Sequence, residues 1–100
     1  MCTNQHRHRG ALAHPVLRRA AAARTCRREV PIALTLDDGV LVEGVVDAAF
    51  VDDGGWTVVD FKTDVELGGR IEEYRRQVAL YARAIARATG ASVRGVLLRV

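Results

Sequence analysis

Three short runs rich in β-branched residues, each closed by an Asp-Asp-Gly turn or opening directly from one, constrain this chain more than any other feature. Glu29 to Leu36 ends at Asp37-Asp38-Gly39, and Val40 to Val51 ends at Asp52-Asp53-Gly54-Gly55, from which Trp56 to Phe61 follows at once. Asp-Gly between such runs marks a hairpin, because glycine accepts the left-handed backbone the turn needs. The three runs therefore read as an antiparallel meander. Glycines 68 and 69 then open a helix from Arg70 to Thr89. Along it Tyr74, Val78, Tyr81 and Ile85 recur on one face with Leu80 and Ala84 beside them, and Gly90 stands at the favoured stop position. Ser92 to Val100 reads as a last, very apolar strand that enters the sheet interior. Upstream, Ala11 to Ala23 reads as a helix with Pro15 in its first turn, where proline is tolerated. The order helix, three strands, helix, strand implies a mixed α/β layer.

One hundred residues make one small domain or part of a larger one. Residues 1–10 read as a disordered leader and residues 11–100 as a partial domain. No apolar run reaches the roughly 18 residues of a membrane span. The polar, basic start is no signal peptide, so a cytoplasmic protein is expected. Cys2 and Cys26 lack CxxC spacing and read as unpaired thiols in a reduced compartment.

The net charge of +3 hides a segregation. Residues 1–28 carry seven arginines and no acid, residues 29–68 ten acids against Lys62, and residues 69–100 seven arginines and two glutamates. Basic flanks around an acidic centre suit a protein that meets phosphates outside and a divalent metal inside. A solvated surface would produce the same pattern.

The acidic centre holds two carboxylates where apolar side chains are expected. Asp47 lies among Val45, Val46, Ala48, Ala49 and Phe50; Asp60 lies between Val59 and Phe61. A carboxylate in such a run costs free energy unless a cation meets it. Lys62 follows Asp60 by two residues, so both project from one face of a strand. If the second and third strands pair through their turn, Asp47 approaches Asp60 across the ladder. Two like charges so placed call for a bound cation, and oxygen ligands alone suit Mg²⁺ or Mn²⁺. Lys62 is the single lysine against fourteen arginines. That bias points to a position needing a compact ammonium, which arginine cannot supply. A plain strand-end ion pair would account for the spacing equally well.

The longer pattern resembles a known family. Gly44-Val45-Val46-Asp47, then Val58-Val59-Asp60-Phe61-Lys62-Thr63-Asp64, then Tyr74 with Gln77 and Tyr81, are similar to the motifs of the PD-(D/E)XK nucleases. They resemble most the RecB/AddA-type nuclease domain at the C-terminus of UvrD-like helicases, and Arg28-Glu29-Val30-Pro31 fits the same pattern. The resemblance implies a restriction-endonuclease-like fold, truncated at its N-terminus. It implies Asp47 and Asp60 as metal ligands joined by the Phe61 carbonyl, Lys62 as the catalytic lysine, and Glu29 as an acid near the site. Gln77 and Tyr81 would line the DNA and support the centre, and four residues apart they share a helix face. Arg70, Arg75 and Arg76 would meet DNA, with single-stranded ends as the expected substrate and helicase motor domains as the partner. No membrane partner is expected. The implied activity is Mg²⁺-dependent hydrolysis of DNA phosphodiesters during end processing and recombinational repair in a bacterial cytoplasm.

The sequence departs from that family in two places. A histidine ligand in a Gly-x-x-x-His setting is expected well upstream, yet Gly10 and His14 lie close before Glu29 with Pro15 next in line, which suits a helix-start histidine better. No Walker A pattern occurs, so no ATPase is expected in this chain. The cysteine cluster of the iron–sulfur branch is also absent. A non-catalytic DNA-binding or assembly module is therefore the alternative to a nuclease. An unrelated α/β domain with an Asp–Lys ion pair is the third.

Overall fold

The computed structural model describes residues 15–100. The leader and His14 lie outside the described residues. Seven elements follow in order: α1 (Pro15–Ala22), β1 (Cys26–Thr35), β2 (Leu41–Asp52), β3 (Gly55–Lys62), α2 (Asp64–Leu67), α3 (Ile71–Thr89) and β4 (Val93–Arg99). The sheet order is β1-β2-β3-β4. The first two pairings are antiparallel and β3 with β4 is parallel. This is the expected mixed sheet, a meander plus a C-terminal strand, flanked by helices.

Local chemistry explains the meander. Asp53 and Gly54 both have positive φ, 50° and 78°, as a two-residue hairpin turn of the favoured hand requires. Asp52 pairs with Gly55 directly across it. The earlier turn closes through backbone bonds from Gly39 to Leu36 and from Leu36 to Val40, at 2.9 and 2.8 Å.

Two cores lie on opposite faces of the sheet. On one, α3 places Val78, Tyr81, Ala84 and Ile85 against Ile32, Leu34, Val46, Ala49 and Val58. On the other, α1 places Leu17 and Ala20 against Ala48, Phe50, Val59 and Leu98. Phe50, Val46, Val58 and Val59 are fully buried, and each such side chain contributes about 1.5–3 kcal/mol by leaving water. Arg19 ties α1 down through a two-pronged ion pair with Asp52, at 2.7 and 2.9 Å. Its guanidinium also sits 5.8 Å from the centre of the Phe50 ring.

Some expectations change. Among the described residues β4 is an edge strand rather than an interior one. Its apolar run has another cause: Val93 and Leu97 pack on the α3 core while Val96 and Leu98 join the α1 core, and a strand covered on both faces reads as continuously apolar. β1 starts three residues before Glu29, and Arg70 caps α3 instead of opening it. The short α2 was not anticipated. A capping box builds it, with Thr63 Oγ1 accepting from the Glu66 N–H at 3.2 Å and Glu66 Oε1 accepting from the Thr63 N–H at 2.9 Å. Cys26 is disulfide-bonded, where an unpaired thiol was expected; spacing along a chain carries no sign of which sulfurs meet in space. No helix among the described residues is long and apolar enough to cross a membrane.

Candidate metal and nucleic-acid site

The site begins at a fault in the pleat. Side chains two apart on a strand share a face, yet Val46 packs under α3 while Ala48 packs under α1. The face therefore switches at Asp47. On β1 the residue between the pairs Arg28–Ala48 and Val30–Val46 is Glu29, left out of the register across from Asp47. Glu29 has φ 51°, a left-handed conformation that is rare for a non-glycine residue and concentrates at functional positions.

The β2–β3 ladder stops at the same level. Its last pair is Ala48–Val59, so Asp47 and Asp60 come next on two strands that have begun to part. The Asp47 carboxylate fills the gap: its Oδ2 accepts the Phe61 backbone N–H at 2.7 Å. β3 itself remains paired with β4 through Lys62, which fixes the backbone beneath Asp60 and Lys62.

Asp60 is 4 % exposed. Its Oδ2 lies 2.8 Å from Lys62 Nζ. The Lys62 ammonium compensates its charge as a close ion pair, and no other group among the described residues donates to that oxygen. Burial pushes the Asp60 carboxyl up to about 6, and Asp47 raises it further while Lys62 opposes both. Burial pulls the Lys62 ammonium down, but Asp60, Asp47 and Glu66 outweigh it and hold it above its ordinary value.

Helix α3 roofs this cluster. Burial lifts the Tyr81 hydroxyl above its usual range, and the charges of Asp60 and Asp47 add to that against Lys62. The ring also rests on Gly44: a Cβ there would lie 2.5 Å from Tyr81 Oη. The glycine before Val45-Val46-Asp47 is thus the space in which the ring sits. Gln77 is half-buried one turn earlier on the same helix. Tyr74 offers its ring to two cations, Lys62 Nζ at 5.0 Å and Arg70 Cζ at 5.1 Å from its centre.

Strand spacing led to Asp47, Asp60 and Lys62 converging, and the structure brings these three together; Tyr81, which the resemblance alone set beside them, is buried in the α3 core. Glu29 lies across from Asp47 where the β1–β2 pairing is interrupted, and its side chain is exposed. Arg70, Arg75 and Arg76 are exposed on the first turns of α3 or its cap. Arg70 pairs with Glu73 at 3.0 Å and Arg75 with Glu72 at 3.3 Å. The contact of Tyr74 with Lys62 was missed, for nothing in strand or helix spacing marks it.

The donors suit a hard divalent cation in kind. They are carboxylate oxygens, one of them buried beside a second carboxylate. Among the described residues, no three His, Cys, Asp or Glu side chains cluster closely enough to hold a metal. Asp47 and Asp60 are the two carboxylates that meet there.

The family model described as the PD-(D/E)XK nuclease superfamily matches residues 2–100. Several curated relatives are named as subunits of an ATP-dependent helicase/nuclease. That of Geobacillus thermodenitrificans is 40 % identical over 92 residues, covering 68 % of this chain and 7 % of the relative. That of Desulforudis audaxviator is 36 % identical over 93 residues, covering 76 % and 8 %. That of Thermoanaerobacter sp. is 27 % identical over 109 residues, covering 91 % and 9 %. The chain thus spans less than a tenth of the length of these relatives.

Proposed function

This chain belongs to the PD-(D/E)XK nuclease superfamily, and we propose that it forms the DNA-cleaving site of a helicase–nuclease, hydrolysing phosphodiester bonds with Mg²⁺ or Mn²⁺. The observation that carries the reading is the Asp60 carboxylate, buried beside a second carboxylate, Asp47, with the Lys62 ammonium 2.8 Å from its Oδ2. Asp47, Asp60 and the Phe61 carbonyl would hold the metal. When bound, a hard divalent cation supplies a water of lowered pKa and offsets charge on the phosphate.

The residues of the chain do the rest. Lys62, kept cationic by its carboxylates, stabilises negative charge as it develops on the scissile phosphate. Tyr81 and Gln77 support the carboxylates from α3. Glu29, set across from Asp47, contributes a further acid at the rim of the site. Arg70, Arg75 and Arg76 draw DNA phosphates to the start of α3. Such a domain would work beside a helicase motor on single-stranded ends during recombinational repair. The compartment would be a bacterial cytoplasm, where the bond at Cys26 would be reduced. The Arg19–Asp52 pair and the Leu17–Phe50 core would then hold α1.

One observation favours a second reading, a DNA-binding module without catalysis: only two carboxylates are gathered among the described residues. The two readings part on incubation of the purified chain with linear DNA and Mn²⁺ beside Lys62→Ala. Lysine-dependent cleavage supports the nuclease. DNA binding with equal, negligible cleavage by both proteins supports the binding module.

A further inference from the structure

We propose that Tyr74 is a positioning residue for Lys62: its ring holds the ammonium at the mouth of the Asp47–Asp60 pair. The inference rests on the nuclease reading for its consequence and on the geometry alone for the contact. Lys62 has a well-fixed backbone, paired with Arg99 and accepting the Val100 N–H at 3.0 Å. Its side chain is another matter. A lysine stem has four rotatable carbons and loses considerable freedom when its end is fixed. Asp60 meets the ammonium at 2.8 Å, but from one side only. One partner at the end of so flexible a stem leaves the other directions of motion open.

The Tyr74 ring removes that freedom. Its centre lies 5.0 Å from Lys62 Nζ, inside the range where the negative face of an aromatic ring attracts a cation. The ammonium is thus held from two sides, by Asp60 from β3 and by Tyr74 from α3. Its side chain is 15 % exposed, and partial removal from water strengthens such a contact. The ring is itself anchored, since Val78 and Tyr81, one and two turns later on α3, are buried in the core. Arg70 lies 5.1 Å from the centre of the same ring and pairs with Glu73. One aromatic side chain therefore links the lysine of the site to an arginine assigned to DNA.

The test uses the fact that Lys62 is the single lysine of the chain. Protein labelled with ¹³C-lysine gives one ε-methylene correlation, which the Tyr74 ring current should move upfield of free lysine. The shift should persist in Tyr74→Phe, which keeps the ring without its hydroxyl, and collapse in Tyr74→Leu. With Lys62-dependent cleavage as the second readout, Tyr74→Leu should lower kcat about tenfold, the scale of one cation–ring contact. KM for DNA and the Mn²⁺-induced thermal shift should stay as in the parent, and Tyr74→Phe should restore the rate. An unchanged lysine signal in a folded Tyr74→Leu protein overturns the contact. A displaced signal with unchanged kcat overturns the positioning role. If no variant or parent cleaves in a Lys62-dependent manner, the nuclease reading fails, and the lysine signal, recorded without substrate, still decides where the ammonium is held.

Discussion

Tyr81 occupies the space that a side chain at position 44 would need: a Cβ on Gly44 would lie 2.5 Å from Tyr81 Oη and 2.7 Å from two ring carbons. Gly44→Ala must therefore push the ring, the backbone of β2, or both. Overpacking of this kind costs about 1–3 kcal/mol. Because Tyr81 also roofs the two aspartates, cleavage should fall along with stability. Tyr81→Leu in the same chain should relieve much of the clash. Urea denaturation of the two single variants and the double variant measures this, and strictly additive losses would mean that the residues do not press on each other.

The pair Asp47–Asp60 predicts a pH window for metal binding. Asp60 is raised to about 6 by burial and then by Asp47, and a ligand carboxylate must lose its proton to bind metal. The Mn²⁺-induced rise in Tm should be large near pH 7.5, shrink as pH falls through about 6, and vanish in Asp60→Asn. Without metal the sign reverses. A carboxyl with a folded pKa above its unfolded value of about 3.9 adds stability below that value. This contribution is lost as pH rises through about 6. Thermal melts across pH 4 to 8, with and without Mn²⁺, should therefore diverge toward neutral pH; parallel curves would argue against a metal between these carboxylates.

Where turn chemistry or period-two spacing decided the outcome, the chain could be read. Asp53-Gly54 makes its hairpin because of its own backbone preferences, and Asp60 and Lys62 share a face because they are two apart on β3. The threonine and glutamate of Thr63-Asp64-Val65-Glu66 carried the capping-box signal for α2, and it was overlooked. The edge position of β4 was not legible, since a strand covered on both faces by α1 and α3 looks the same as an interior one. Nor was the Tyr74–Lys62 contact, which depends on where α3 crosses the sheet. The switch of faces at Asp47 is likewise a property of two strands together, visible only once Glu29 stands opposite.

Glu29 offers a separation of stability from function. A non-glycine residue at φ 51° costs on the order of 1–3 kcal/mol, while glycine at a strand position loses roughly 0.5–1 kcal/mol of that gain through added chain entropy. Glu29→Gly should thus stabilise the fold by about 1 kcal/mol, whereas Glu29→Ala should not. If the carboxylate acts at the rim of the site, both variants should cleave less well than the parent. Chemical denaturation and a cleavage assay on the same preparations give the comparison. A Glu29→Gly protein that is more stable and equally active would remove Glu29 from the site.

The arginines at the start of α3 are held back by their own helix. Arg70 and Arg75 sit three residues from the acids they pair with, Glu73 and Glu72, at 3.0 and 3.3 Å. Exposed pairs like these are largely screened by water, so a phosphate competes with each readily. If DNA lies along this end of α3, each arginine that exchanges its glutamate for a phosphate adds one released counterion to binding. Arg75→Ala should then lower the slope of log affinity against log salt by roughly 0.7 on a single strand. Glu72→Gln should do the opposite to affinity, tightening binding by freeing Arg75 and removing a repelling charge, with little change in slope. Titration of a labelled single strand at several salt concentrations distinguishes these outcomes from a solvated charged face. A slope that neither substitution alters, in variants with parental stability, would place the DNA elsewhere on the domain.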